Sequence, residues 1–196
     1  DTSNDLIVTR TGIKERRIAN GESTTDISVK AAKKALKSAS IAPSQIDLII
    51  VATVTSDMIF PSTACFVQSH LGIKNNIPAF DISAACSGFL YALDAADRYI
   101  KSGAAEKALV VGVDIFSKII DWNDRNTCIL FGDGAGAVIL SAEKGNKGIL
   151  SSHLHSNGHY WKLLYAPSNL CSTPFKDTLH SNPGSPEGPY LKMEGN

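Results

Sequence analysis

The chain has 196 residues, 43% of them hydrophobic and 19% charged, enough apolar material for one full core and part of a second, which excludes a disordered polymer. Nineteen Lys and Arg balance nineteen Asp and Glu, so no overall field draws the chain to nucleic acid or to an anionic membrane, and an anionic ligand must be met by local charges. No apolar run reaches the roughly 18 residues of a membrane span, and the polar start DTSNDLIVTR lacks the pattern of a signal peptide, so a cytoplasmic protein with no membrane partner is expected.

Over residues 26–39, Ile27, Ala31, Ala32, Ala35, Leu36 and Ala39 recur at helical spacing, with Lys30, Lys33, Lys34 and Lys37 mostly on the other side, which predicts an amphipathic surface helix. The run IDLIIVATV (46–54) is almost uniformly apolar and β-branched, the pattern of a strand buried on both faces. A second helix is expected at about 62–71, opened by Pro61 and closed by Gly72. A strand at 77–82, a helix at 86–102 ended by Gly103 and a strand at 107–114 complete two successive strand–helix–strand units. This alternation predicts an α/β layered fold with a largely parallel central sheet, and GAVILSA supplies a final strand. From about Ser156 the residues Pro167, Pro174, Pro183, Pro186 and Pro189, with many Ser, Asn and Gly, suggest loops.

Four cysteines, Cys65, Cys86, Cys128 and Cys171, are scattered without a C-x-x-C pair, so neither a zinc knuckle nor a disulfide scaffold is suggested. Cys86 stands where an apolar strand gives way to a helix. Phe89, Leu90, Leu93, Ala96 and Ile100 form an apolar face whose first two members lie three and four residues after Cys86, so the thiol is expected to point inward with them. The open N–H groups of a helix start favour a negative group by about 0.3–1 kcal/mol. Ser83, Ala84, Ala85, Ser87 and Gly88 leave room around the sulfur for a carbonyl carbon to approach. On these residues alone two readings stand: an acyl-accepting nucleophile, or a small core residue that lets a helix pack close to a sheet.

Other signals read as structural. GDGAG lacks the Lys of a phosphate-binding loop and precedes a strand rather than a helix, so a tight, close-packed turn is expected. His153, His155 and His159 would share a face on a strand, but no Cys or carboxylate accompanies them at metal-ligand spacing, and no metal is expected. Cys65 is expected inside a helix and Cys128 in a loop-to-strand segment, and His70 carries no special sign.

Four blocks, DTSNDLIVTRTGIKERRIA, FPSTACFVQSHLGIK, FDISAACSGFLYALDAADRYIKSGA and FGDGAGAVIL, in this order, resemble β-ketoacyl-acyl carrier protein synthase III, the thiolase-like condensing enzymes that start bacterial fatty-acid synthesis. The likeness runs from Asp1 to about Leu164 and returns at MEGN. It implies the α/β/α/β/α thiolase-like fold, with this chain covering most of the N-terminal half, 1–145, and the start of the following insert, the connecting loops of 146–196. It also implies a decarboxylating condensation of a short acyl-coenzyme A, acetyl above all, with malonyl-acyl carrier protein. Acyl-coenzyme A is there a substrate, so no cofactor is implied, and the expected partner besides the carrier protein is a second copy of the chain.

By the same resemblance Cys86 is the nucleophile, and its backbone N–H forms part of an oxyanion hole. Arg10 and Arg125 line the coenzyme A entrance, where guanidinium suits phosphate and an adenine face. Thr2, Thr11, Leu130, Phe131, Met193 and Gly195 border the pantetheine tunnel. Phe60 reaches into the other subunit and limits the acyl pocket. The family's His and Asn would lie beyond Asn196 and its first strand before Asp1, so the residues present are expected not to catalyse condensation alone. Leu6 stands where the family commonly has a Trp against the adenine. Trp122 either replaces that stacking or serves the core or an interface. The rival readings are a thiolase-fold synthase of a specialised ketide and a non-catalytic partner subunit, against which Cys86 argues.

Overall fold

A computed structural model describes residues 3–145, 147–167 and 190–194. In chain order the elements are α1 (Asn4–Thr11), α2 (Thr24–Ala39), β1 (Leu48–Ala52), α3 (Thr63–His70), β2 (Ala79–Ile82), α4 (Gly88–Lys101), β3 (Lys107–Ile115), α5 (Arg125–Cys128), β4 (Asp133–Ser141), β5 (Leu164–Tyr165) and β6 (Lys192–Met193). They fall into two compact units, one made of Ile18–Ile115 and Asp133–Leu154, the other of Asp1–Arg17, Phe116–Gly132 and His155–Asn196.

The larger unit is built on a four-stranded sheet in the order β2-β1-β3-β4. β1 runs parallel to both β2 and β3, with Ile50 beside Phe80 on one flank and Val110 on the other. Helices α3 and α4 make the two crossovers, as the alternation of apolar runs and helical periods requires. β4 closes the edge antiparallel to β3.

Every residue of β1 is buried, and the pleat divides them between two cores. Ile49 and Val51, with Leu109, Val111 and Val113 of β3, pack against Val29, Ala32 and Leu36 of α2 and Ala64 and Val67 of α3. Leu48, Ile50 and Ala52, with Ala108 and Val110, pack against Ala92 and Ala96 of α4. Helices thus cover both faces, which is why the strand sequences are continuous rather than alternating. Each large aliphatic side chain so buried contributes about 1.5–3 kcal/mol of transfer free energy.

Helix α2 begins with a capping box: the Ser23 hydroxyl accepts from the Asp26 N–H at 3.0 Å and the Asp26 carboxylate accepts from the Ser23 N–H at 2.9 Å. Ser62 caps α3 by accepting from the Cys65 N–H at 3.3 Å. Exposed pairs one helical turn apart, Asp94 with Arg98 and Asp97 with Lys101, line the outer side of α4.

In the smaller unit Ser3 caps α1 and Gly12 ends it. The Arg16 guanidinium donates to the Ile129 carbonyl, tying the segment after α1 to the one after α5. Phe116 stacks on Phe131 with ring centroids 5.2 Å apart. The Leu191 N–H donates to the Ile119 carbonyl at 2.8 Å, and β5 pairs antiparallel with β6. Residues 158–165, expected as loop, therefore contain a 3-10 segment, Gly158–Leu163, and a short strand.

Two further expectations change. GDGAG is not a turn: Asp133 to Gly136 form the start of β4, in register with Ile115 back to Gly112. The ladder with β3 overrides the local glycine signal, a tertiary effect that sequence propensity does not carry. Cys128 ends α5 rather than leading into a strand.

Candidate active site

Cys86 lies on a three-residue 3-10 turn, Ala85–Ser87, between β2 and α4. The helix therefore starts two residues after the expected position, at Gly88. Ala85 has φ of 44°, a left-handed conformation that a residue with a Cβ adopts only at a cost of order 1–3 kcal/mol. This turn puts Cys86 out of phase with the apolar face of α4, and the thiol is exposed instead of pointing inward. Leu90 departs from that face too and is 56% exposed, while Ala92 and Ala96 are fully buried against the sheet.

The thiol opens on a cleft of about 560 Å³. Phe89 is the one aromatic in a wall otherwise built largely of small residues, with Ala52 and Gly112 behind it and Gly134, Ala135 and Gly136 of β4 opposite. Two glycines make this closeness possible. A Cβ on Gly88 would come within 3.2 Å of the Ala52 Cβ, and one on Gly112 within 3.0 Å of the Phe89 ring. The helix that follows the cysteine therefore lies directly on β1 and β3, at the carboxyl ends of parallel strands, where open α/β sheets place their crevices. Asp114, at that end of β3, also borders the cleft. The residue reading passed over it, although an acidic residue closing the apolar run ALVVGV was the available signal.

Phe60 belongs to the same unit as Cys86 and is 80% exposed, at the end of the connection from β1 to α3. The other expected contact residues belong to the smaller unit. Arg10 is in the last turn of α1 and exposed; the Thr11 hydroxyl donates to the Ile7 carbonyl at 2.7 Å and accepts from the Ile13 N–H at 3.0 Å. Arg125 opens α5, which Asp124 caps by accepting from the Asn126 N–H at 3.0 Å. Leu130 and Phe131 follow α5, and Met193 pairs with Leu164 across the β5–β6 ladder. Thr2 and Gly195, expected beside them, lie outside the described residues, as do Cys171 and the prolines from Pro174 to Pro189. Leu6 is half-buried in α1, and Trp122 is exposed in the loop just before α5.

Of the remaining polar candidates, Cys65, His70 and His159 have local contacts. The Cys65 thiol accepts from the Ser62 hydroxyl at 3.2 Å and His70 meets the Phe66 carbonyl at 2.8 Å. His153 and His155 stand in an irregular segment, not on a strand, and His159 packs edge-on against Tyr160. The shared strand face assumed for the three histidines does not form. Among the described residues no group of three His, Cys, Asp or Glu side chains converges.

Residues 80–158, which include the cysteine turn and β4, match the family model described as 3-oxoacyl-acyl-carrier-protein synthase III. The whole chain is 52% identical over 197 residues to the β-ketoacyl-acyl-carrier-protein synthase III of Neisseria meningitidis serogroup A, covering 58% of that protein. It is 49% identical to the synthase III of Thiobacillus denitrificans, again over 100% of this chain and 58% of the relative. The crystal structure of 3-oxoacyl-acyl-carrier-protein synthase III from Aquifex aeolicus matches with a TM-score of 0.85 at 47% identity, over 98% of this chain and 56% of that one. The chain belongs to the β-ketoacyl-acyl carrier protein synthase III family. Its fold is the thiolase-like layered fold of this synthase III family, and the larger unit supplies a helix–sheet–helix set of its layers. The chain spans 58% of the length of the synthase III relatives it matches.

Proposed function

We propose that the complete protein initiates fatty-acid synthesis by condensing a short acyl group, acetyl above all, from coenzyme A with malonyl-acyl carrier protein. The observation that carries this reading is the exposed thiol of Cys86 on a strained turn, opening on a cleft walled by small residues, in a chain half identical to synthases of that name. The Cys86 sulfur attacks the thioester carbon of acyl-coenzyme A. A tetrahedral oxyanion forms and collapses; coenzyme A leaves as its thiol with the proton Cys86 gave up. Malonyl-acyl carrier protein then loses carbon dioxide, and the electron pair of the broken bond attacks the acyl-cysteine carbonyl. Collapse of this second oxyanion releases the Cys86 thiolate and the β-ketoacyl-acyl carrier protein. The Cys86 backbone N–H serves the oxyanion both times. The His and Asn that assist decarboxylation are assigned to the region after Asn196. No cofactor takes part, since acyl-coenzyme A is consumed.

Arg10 and Arg125 receive the coenzyme A phosphates, which supplies local positive charge in a chain with none overall. Thr2, Thr11, Leu130, Phe131, Met193 and Gly195 border the pantetheine arm, and exposed Trp122 offers an aromatic face where Leu6 has none. The working unit is a homodimer in the cytoplasm. In support, β2 is an edge strand whose residues are all partly exposed, and the neighbouring apolar side chains Met58, Ile59 and Phe60 stand out from the surface. Phe60 of one copy closes the acyl pocket of the other and restricts it to short primers. Residues 1–145 form the N-terminal thiolase-like half and 146–196 lead toward the remainder.

The test supplies the full-length protein with acetyl-coenzyme A and malonyl-acyl carrier protein and measures β-ketoacyl product. Wild type forms it and Cys86→Ser reduces it to background. Product formation by Cys86→Ser at the wild-type rate would remove Cys86 from the mechanism.

A further inference from the structure

The connection between β1 and α3 carries the most exposed run of large apolar side chains in the larger unit: Met58 is 56% exposed, Ile59 71% and Phe60 80%. The backbone that bears this tip is nonetheless fastened by three carboxylates. At its base Asp114 accepts, on one oxygen, from the Thr53 hydroxyl at 3.1 Å, the Val54 N–H at 2.9 Å and the Thr55 hydroxyl at 2.9 Å. Thr55 is buried; its hydroxyl accepts from the Ile115 N–H at 2.9 Å, and its carbonyl from the Thr24 hydroxyl. One residue before the tip, Asp57 accepts from the Thr24 and Thr25 N–H groups at 2.9 and 2.8 Å, across the start of α2. Just after it, Asp81 of β2 accepts from the Thr63 and Ala64 N–H groups at 2.7 and 2.8 Å, across the start of α3.

Hydrogen bonds to a charged acceptor are roughly twice as strong as neutral ones, and each of the three carboxylates takes at least one backbone N–H beside the tip. An ordinary surface loop needs no such fastening. A tip whose job is to fill a fixed volume does, because any freedom at its base becomes uncertainty in the volume it leaves and must be ordered again on each closure.

We propose that Asp57, Asp81 and Asp114 are positioning residues for primer selection, holding the 58–60 tip in one geometry so that Phe60 sets a sharp limit on acyl-chain length. The proposal rests on the reading of Phe60 given above. None of the three touches the reacting atoms in this role; they act through the backbone of the tip.

The experiment compares kcat/KM for acetyl-, butyryl- and hexanoyl-coenzyme A in the full-length protein and in Asp57→Asn and Asp81→Asn. At Asp57 and at Asp81 each carboxylate oxygen takes one N–H, so an asparagine keeps one acceptor oxygen and sets an amide where the second stood. Asp47→Asn is the control: it breaks a similar pair of bonds, to the Glu106 and Lys107 N–H groups, at the opposite end of β1. The preference for acetyl over hexanoyl is expected to fall by about tenfold in both tip variants and to stay at the wild-type value in Asp47→Asn. An unchanged preference, including a uniform loss of kcat/KM across the three substrates, would overturn the proposal, as would an equal shift in the control. If Asp81→Asn fails to fold, Asp57→Asn decides alone. Failure of the underlying reading looks different: wild type itself would then not load acetyl onto Cys86.

Discussion

At the scale of single residues the site turns on Ala85. Its φ of 44° is what swings Cys86 out of the helix and onto the cleft. A β-branched side chain does not tolerate that conformation, so Ala85→Val is expected to lose about 2 kcal/mol of stability in denaturant titration of the full-length protein and to lose acylation of any fraction that stays folded. Retention of both would mean that the left-handed turn is not required. The sequence made the open space beside Cys86 legible, because the small size of its neighbours is written directly in the letters. It did not make the direction of the thiol legible. A helical wheel begun at Cys86 assumes that the α-helix begins there, and one backbone torsion at Ala85 breaks that assumption. Asp114 was missed for a related reason: its partners, Thr53, Val54 and Thr55, are about sixty residues away in sequence.

At the scale of elements, α2 shows how local signals and packing combine. Ser23 and Asp26 satisfy each other's N–H groups, and Asp57 takes two more. The bond from the Ser23 N–H, and then that from its hydroxyl, hold the Asp26 carboxyl below the usual aspartate range. A lowered folded value means that the carboxylate's contribution is complete above the ordinary aspartate value and is lost as pH falls through the lowered one. Ser23→Ala is therefore expected to cost about 1 kcal/mol near neutral pH, with the difference from wild type shrinking in strong acid, when thermal unfolding is followed against pH. A difference that grew in acid would contradict the capping account. The same comparison explains what could be read of the fold. β1, β3 and α2 were evident because the apolar pattern of each fits its element, and α3 because Pro61 and Gly72 mark its ends. α1 was not, since Ile7, Val8, Thr9 and Thr11 weaken helical propensity and only Ser3, Asp5 and Gly12 mark its ends. β4 begins three residues before the apolar run that announced it, because pairing with β3, not side-chain pattern, holds Asp133 to Ala135 in the ladder.

At the scale of the whole molecule, a net charge of zero leaves recognition of any anionic ligand to placed side chains, and the residues proposed above for the acyl-coenzyme A site divide between the two units. The larger unit holds Cys86, its cleft and the carboxylate-fastened tip with Phe60; the smaller holds Arg10, Thr11, Arg125, Leu130, Phe131 and Met193. Nothing in the composition announces that division, since the smaller unit is assembled from three separated stretches of chain whose contacts are set only on folding. The account as a whole stands on the thiol as acyl carrier. Its most direct measurement is mass spectrometry of the full-length protein after brief exposure to acetyl-coenzyme A without malonyl-acyl carrier protein. One acetyl group is expected on the peptide that contains Cys86, released when malonyl-acyl carrier protein is added. An unmodified Cys86 peptide, or acetyl carried elsewhere in the chain, would contradict it.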